Sequence, residues 1–271
     1  MSSAVSHKID DYESLLVALQ NVLGVVVTDE QRSHLVERVE PLLSAYKLDS
    51  LANLAEKLQE EASDVRTDVL DVITQRQSSW TISPEIKNVL HNYILGQLAE
   101  KARIWVVGCG QGQLAYSIAM EIASFEQKTG EAKNFELMAT DLLSVDIKQA
   151  ERATYSAQQL MMLNNEFKKL YVTMDSKGES GQIKNTIRQS VYFSACNLTS
   201  SIPVMGAMDL IICQEALVYF SNGVRAGIVQ QFTELLKSGG ILLSGHNQVI
   251  PVGQGLERVT HPEGLFYRQK S

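Results

Sequence analysis

Three glycines, Gly108, Gly110 and Gly112, stand between an apolar run and a helical pattern, where a strand-to-helix turn is expected. In an open α/β sheet, the loop after the first strand comes closest to a ligand bound beyond the carboxyl ends of the strands. A side chain at any of these positions would block that approach. The spacing therefore predicts a ligand-binding loop, although a glycine turn with a purely structural role has the same pattern.

Asp141 is the second candidate, because it directly follows a strand-like stretch that begins at Phe135. A carboxylate at the tip of the second strand of such a sheet binds the two ribose hydroxyls of an adenosine ligand. The alternative is a simple helix N-cap. Dinucleotides and S-adenosylmethionine share this acid. Gln113 and Leu114, which follow the glycines, offer no basic group to a pyrophosphate, and this favours S-adenosylmethionine and methyl transfer.

The elements that position these residues follow from the hydropathy pattern after Leu98. Strands are predicted at Ile104 to Val107, Phe135 to Ala139, Val191 to Ser194, Leu210 to Cys213, Ile241 to Gly245 and Leu265 to Tyr267. Helical patterns fill Leu114 to Phe125, Asp146 to Ala153 and Val224 to Leu236. This alternation predicts a doubly wound, parallel α/β sheet. Short β-prone pieces between Leu170 and Phe193 predict a small antiparallel excursion.

The first third of the chain has a different pattern. Apolar residues recur at helical spacing from Asp10 to about Ile73, which predicts a small all-helical domain. A capping box at Thr28 begins one of its helices. Ser83 and Pro84 suit the start of a further helix over Glu85 to Gln97. We therefore predict a helical domain at residues 1–83 and a ligand-binding domain at residues 84–271.

Charge is distributed unevenly between these two parts. The 271-residue chain has a net charge of −7, and residues 1–83 hold 14 acidic against 7 basic side chains. The 17 acids and 17 bases of the remainder balance. An acidic N-terminal domain disfavours nucleic acid as its partner.

Cysteine usage and the length of apolar runs indicate the compartment. Cys109, Cys196 and Cys213 have neither paired nor metal-type spacing, which is typical of buried thiols in a reducing environment and predicts no metal site. No apolar run is long enough to span a bilayer, and the N-terminus has no signal pattern. We therefore expect a cytoplasmic protein.

Ordered motifs along most of the chain resemble one family, the chemotaxis-receptor methyltransferases called CheR. After the glycine loop comes Tyr-Ser-Ile-Ala-Met, followed by Ala-Thr-Asp, an Asn-Leu pair and a cysteine six residues before Tyr-Phe. A double-glycine segment and a final Gly-Leu-Phe-Tyr-Arg-Gln complete the series. These motifs lie at Tyr116 to Met120, Ala139 to Asp141, Asn197 to Leu198, Cys213 to Phe220, Leu235 to His246 and Gly264 to Gln269.

The resemblance implies a class I methyltransferase, with a small helical domain before a Rossmann-like, mostly parallel sheet. It implies an S-adenosylmethionine-dependent enzyme that esterifies glutamates on the cytoplasmic domain of a chemoreceptor, in chemotaxis or pilus motility, and releases S-adenosylhomocysteine. The antiparallel excursion, at about 168–193, would be the β-subdomain of the family, which in some members docks a receptor peptide. Together the loop and the resemblance predict catalytic Tyr219 and cofactor-binding Gly108, Cys109, Gly110, Gly112, Gln113, Asp141, Leu142, Asn197, Leu198, Glu215 and Ala216.

Several positions depart from the family pattern. The Thr-x-Phe-Phe-Arg motif, whose arginine reaches into the active site, becomes Gln77 to Thr81 in an alignment without gaps, and the only nearby cation, Arg76, is out of register. Gln113 stands where relatives have a glutamate that can accept from the methionine amino group. Glu215 replaces the asparagine of a Cys-Arg-Asn motif. These changes leave open a catalytically weak relative that binds the cofactor as a regulatory module, or a small-molecule methyltransferase.

Overall fold

A computed structural model describes residues 2–27, 29–60, 64–74, 78–200, 202, 206–245, 250–251, 253 and 255–270. The fold divides into two compact units, residues 1–76 with 219–225 and residues 77–218 with 226–271. The predicted domains 1–83 and 84–271 stay a prediction. Thr28, Arg76, Gln77 and His246 lie outside the described residues.

The first unit is helical, as the 3.6-residue pattern predicts. Its helices are α1 (Ser2–Leu23), α2 (Asp29–Tyr46), α3 (Leu51–Gln59) and α4 (Val65–Thr74). Their apolar faces form its core, in which Leu15, Leu19, Val39 and Leu54 are fully buried. Ser50 caps α3, since its Oγ accepts a hydrogen bond from the Asn53 amide at 3.2 Å.

The second unit begins with α5 (Pro84–Val89), a π-helical turn (Leu90–Ile94) and α6 (Leu95–Gln97). Ser83 Oγ accepts from the Ile86 amide and Pro84 occupies the first turn, so the predicted helix start is confirmed. The later helices are α7 (Gln113–Thr129), α8 (Ser144–Arg152), α9 (Asn165–Tyr171), α10 (Asn185–Arg188) and α11 (Asn222–Leu235). The residues of α11 up to Arg225 belong to the first unit.

A seven-stranded sheet forms the centre of the second unit, and it confirms the predicted doubly wound fold. In chain order its strands are β1 (Arg103–Val107), β2 (Glu136–Asp141), β6 (Val191–Ala195), β7 (Met208–Cys213), β8 (Leu236–Ser244), β9 (Leu256–His261) and β10 (Gly264–Gln269). Their spatial order is β6-β2-β1-β7-β8-β10-β9. The first five are parallel, whereas β10 runs antiparallel to β8 and to β9.

A second, antiparallel sheet interrupts the alternation, as expected. Its strands are β3 (Thr154–Ser156), β4 (Val172–Met174) and β5 (Ser180–Ile183), with β5 in the middle. Strand β3 lies upstream of the predicted span 168–193. A Cβ at Gly181 would lie within 2.8 Å of Val172, Leu160 and Met174 atoms, so the central strand needs a glycine to pack.

The hydropathy pattern did not predict α9 or β9. Both have seven residues or fewer, and a helix or strand of this length cannot be recognised from periodicity alone. No described helix combines the length and apolar character needed to cross a membrane.

Candidate functional site

The glycine loop connects β1 to α7 at the carboxyl edge of the sheet, where ligands bind in open α/β sheets. The amides of Gly108 and Cys109 both donate to the carbonyl of Thr140, at 2.8 and 3.0 Å. These bonds fix the loop against the end of β2. The loop is therefore positioned by backbone groups and by the order of the strands.

The backbone favours glycine at all three predicted positions. Gly108, Gly110 and Gly112 have φ values of +72°, +53° and +95°, in the left-handed region that side chains rarely adopt. A Cβ on Gly112 would lie 2.8 Å from the Ala150 Cβ, and one on Gly110 would overlap Ser78 Oγ. The glycines thus serve close packing within the protein as well as any approach of a ligand.

Asp141 is the last residue of β2 and is 4% exposed. Its Oδ2 accepts from the Gly110 amide at 2.8 Å, and its Oδ1 accepts from the Leu142 amide at 2.7 Å. The alternative role as a helix cap is wrong, because α8 begins at Ser144 and its N-cap residue is Leu143. A carboxylate oxygen can accept more than one hydrogen bond, so this arrangement is compatible with ribose hydroxyls as further donors.

Residues 78–82, which we call the strap, lie against the glycine loop and α7. Ser78 Oγ accepts from the Gln111 amide at 2.9 Å, and Ser117 Oγ donates to the Trp80 carbonyl at 2.7 Å. The Trp80 ring packs edge-on against Tyr155, with centroids 4.8 Å apart. The strap includes the last part of the segment that aligns with the arginine motif of the family, so this segment borders the predicted cofactor loop.

The Gln214 side chain binds the C-terminal end of the strap. Its Nε2 donates to the Thr81 carbonyl at 3.0 Å, and its Oε1 accepts from the Ser83 amide at 2.9 Å. Thr81, which aligns with the arginine of the family, is exposed. The neighbouring Glu215 is also exposed and has a φ of +62°, a conformation that costs a glutamate backbone strain.

Two buried tyrosines complete the surroundings of the loop. Tyr155 donates its hydroxyl to the Gln111 carbonyl at 2.6 Å, and Tyr116 donates to the Ala150 carbonyl at 2.8 Å. Burial raises the pKa of both phenols well above the ordinary value. Both groups therefore stay protonated hydrogen-bond donors and are unsuited to act as bases.

The remaining predicted site residues have different environments. Asn197 is exposed, and its Oδ1 accepts from the amide and hydroxyl of Thr199, which makes it a turn residue. Leu198 and Ala216 are buried, and Leu142 is half-buried. Tyr219 belongs to the first unit, where its carbonyl accepts from the Val26 amide at 3.0 Å. Its predicted catalytic role stays a prediction.

Reasoning from the sequence missed the structural role of Ser78, Ser117, Tyr155 and Gln214. A serine or glutamine in an irregular segment has no distinguishing periodicity, so its partner emerges only from tertiary contacts. The one usable signal was the Ala-Thr-Tyr stretch from Ala153 to Tyr155, which also resembles a motif of the CheR family.

The glycine turn after β1, the acid at the end of β2 and the antiparallel strand beside β8 define the class: a Rossmann-like methyltransferase that uses S-adenosylmethionine. A structure of this class, a TehB-like SAM-dependent methyltransferase from Corynebacterium glutamicum, is 12% identical with a TM-score of 0.41, over 70% of this chain and 89% of that one.

Sequence comparison gives the family. The model of the CheR methyltransferase, SAM binding domain, matches residues 76–263, so the chain belongs to the CheR methyltransferase family. It is similar to chemotaxis protein methyltransferase 1 of Pseudomonas aeruginosa, with 28% identity over 96% of this chain and 98% of that protein. It is also similar to chemotaxis protein methyltransferase 1 of Vibrio cholerae, with 26% identity over 99% of this chain and the whole of that protein. Its cofactor is S-adenosylmethionine, with S-adenosylhomocysteine as the product.

Proposed function

We propose that this protein transfers the methyl group of S-adenosylmethionine to glutamate side chains in the cytoplasmic domain of a chemoreceptor, in a chemotaxis or pilus-motility pathway. One observation carries the proposal. The Asp141 carboxylate is held at the end of β2 by the amides of Gly110 and Leu142, which fixes it beside the glycine loop. The similarity to chemotaxis protein methyltransferases supports the choice of acceptor.

The reaction requires that the methyl donor and the acceptor carboxylate be aligned and that water be excluded. S-adenosylmethionine, when bound, supplies a sulfonium methyl group that a glutamate carboxylate can attack without the help of a base. Asp141 would hold the ribose hydroxyls, and Gln113 and the glycine loop would hold the methionine end. The strap, with buried Trp80, would shield this end from water. Such alignment of reactants can supply a large part of the rate enhancement.

A regulatory module that binds S-adenosylmethionine or S-adenosylhomocysteine without turnover is the second candidate. The observation that favours it is the charge at the sheet edge. In the described loops after β1, β2, β6, β7 and β8, together with Asp141 and the strap, the charged side chains are Asp141 and Glu215, both acidic. A guanidinium that could hold an acceptor carboxylate in a bidentate way is absent from these described residues.

Methyl transfer to a receptor fragment distinguishes the two candidates. The purified protein, S-adenosylmethionine with a labelled methyl group, and a cytoplasmic receptor fragment should give label that base releases as methanol, because methyl esters are base-labile. A fragment with glutamine at the acceptor positions is the control. Binding of S-adenosylhomocysteine in a calorimeter without any transfer would instead support the regulatory module, and transfer to a small molecule alone would contradict both.

The variant Thr81→Arg returns a cation to the strap. If the enzyme methylates glutamates, we expect kcat/KM for the receptor fragment to rise about tenfold, since a charge-assisted hydrogen bond is worth about 1.5 to 3 kcal/mol. Thr81→Gln, which adds length without charge, should leave it unchanged. An equal response to both variants would show that charge at this position does not govern the acceptor.

A further inference from the structure

A cleft at the amino end of β6 is separate from the predicted cofactor loop. Its volume is about 730 Å³, within the size range of ligand sites in proteins. Val191, the first residue of β6, lines this cleft and pairs with Leu137 of β2, about 13 Å before Asp141 along the strand. The cleft is open to solvent, and the side chains that argue for a ligand are Tyr116, Glu151, Arg188, Tyr192 and Phe193.

The cleft contains two opposite charges that form no ion pair with each other. Arg188 is half-buried, and its Nε donates to the main-chain carbonyl of Glu151 at 3.0 Å. This bond holds the guanidinium in place, while its outer nitrogens, Nη1 and Nη2, have no hydrogen-bond partner among the described residues. The Glu151 side chain is exposed, and its carboxylate makes no ion pair with a described side chain. Both charges are therefore available to a ligand.

The Tyr116 phenol, which also lines the cleft, lies close to both charges. Burial is the largest cause of its raised pKa; the Arg188 guanidinium acts to lower this pKa and the Glu151 carboxylate acts to raise it. Two charges that both act on one buried hydroxyl group are within reach of a single small ligand.

Aromatic rings form the apolar part of the cleft. Tyr116 and Phe193 pack edge to face, with their ring centroids 5.4 Å apart. Tyr192, the neighbour of Phe193 on β6, is 66% exposed. An aromatic ring is a large apolar surface, so covering it with a ligand is favourable.

We propose that this cleft binds a small zwitterion with an aromatic body, of which a free aromatic amino acid is the simplest example. Nη1 and Nη2 of Arg188 donate to its carboxylate, the Glu151 carboxylate accepts from its ammonium group, and Tyr192 and Phe193 contact its ring. An anion or a cation alone would leave one of the two charges without a partner, whereas a zwitterion satisfies both. This second ligand site does not depend on the identity of the methyl acceptor.

Three probes test the assignment. L-Phenylalanine carries both charges, phenylpropionate carries only the carboxylate, and phenethylamine carries only the ammonium group. Each is titrated against the protein by saturation-transfer NMR, with S-adenosylhomocysteine in excess so that the cofactor loop is occupied. We expect L-phenylalanine to bind about tenfold more tightly than either of the other probes, because only this probe makes both charge-assisted contacts.

Variants assign each contact to its residue. Arg188→Gln should weaken L-phenylalanine and phenylpropionate about tenfold and leave phenethylamine unchanged. Glu151→Gln should weaken L-phenylalanine and phenethylamine about tenfold without weakening phenylpropionate. Tyr192→Ala should weaken all three probes, since each has the ring. The matched controls are Arg258→Gln and Glu257→Gln on β9, at the opposite edge of the sheet, and they should change no affinity.

The outcomes separate this inference from the proposed function. No binding of L-phenylalanine in the presence of S-adenosylhomocysteine, or equal affinities for the three probes, would overturn the inference. Binding that Arg188→Gln and Glu151→Gln both leave unchanged would place the probe elsewhere and overturn it too. The expected selectivity without methyl transfer to a receptor fragment would uphold the inference and reject glutamate methylation. If Arg188→Gln does not fold, Glu151→Gln decides alone, because it keeps the carbonyl to which Arg188 donates.

Discussion

The glycine loop and the strap meet at the same edge of the sheet, but different groups hold them in place. The loop is held by two backbone bonds, from the amides of Gly108 and Cys109 to the Thr140 carbonyl, and by one bond from the Gly110 amide to the Asp141 side chain. The strap is held by the side chains of Ser78, Ser117 and Gln214. Backbone bonds survive most substitutions, whereas a contact made by a side chain is lost when that residue changes. This difference fits a chain that keeps a glycine turn after β1 and has lost the arginine motif of its family in the strap.

The largest expected effect is on stability, from a substitution at Gly112 in the glycine loop, where an added side chain has no space. Gly112→Ala would combine a left-handed φ of +95° with a Cβ 2.8 Å from Ala150. We expect a loss of about 3 kcal/mol in the free energy of unfolding, measured with urea. Gly130→Ala is the control, since its φ is +72° and no atom lies within 4 Å of the added Cβ. That variant should lose only about 1 kcal/mol. Equal losses would mean that packing at Gly112 is loose.

Asp141→Asn should have the next largest effect, on ligand affinity. The change keeps the shape of the side chain but removes the charge to which ribose hydroxyls would donate. We expect S-adenosylhomocysteine to bind about 10 to 100 times more weakly in calorimetry. Asp175→Asn is the control, because Asp175 also accepts from backbone amides, in a turn of the small sheet. If Asp141→Asn binds the ligand with unchanged affinity, Asp141 serves only to hold the glycine loop in place and does not bind the ligand.

Gln214→Leu tests the strap with a smaller expected effect. It removes the bonds to the Thr81 carbonyl and the Ser83 amide, so we expect a loss of about 1 to 2 kcal/mol in the free energy of unfolding. Hydrogen exchange at Ser83 should become faster, while the amides of Gly108 and Cys109 keep their protection. Gln230→Leu, at a surface pair with Glu234, should alter neither. Slower or unchanged exchange at Ser83 would show that Gln214 does not hold the strap.

The smallest effect is expected from relief of strain at Glu215. Glu215→Gly should stabilise the protein by about 0.5 to 1 kcal/mol, because glycine adopts a φ of +62° at little cost. Lys101→Gly, at a φ of +60°, should give a similar gain in thermal unfolding. If the Glu215 carboxylate takes part in function, its variant alone should also lose receptor methylation. Equal methylation by the two variants would make the strain at Glu215 incidental.

The sequence was sufficient where neighbouring residues decide the structure. The apolar run before Gly108 and the 3.6-residue pattern after Gly112 each depend on local spacing, so β1 and the start of α7 were predicted to within one residue, whereas α7 continues four residues beyond the predicted end. Strand β3 was not predicted, because three residues have no distinguishing pattern until β5 pairs with them. The roles of Ser78 and Gln214 could not be predicted either, since their partners are 33 and more than 130 residues away.

By itself the sequence determined the class of fold, the glycine loop, the acid at Asp141 and the family, because each is written in contiguous residues. Only the tertiary structure decided that Asp141 holds the loop instead of capping a helix, and that the strap lies on α7. It also decided that Trp80 Nε1 and Gln113 Oε1 are buried without a hydrogen-bond partner among the described residues. Burial and hydrogen-bond partners depend on the whole fold, and a linear pattern does not contain them.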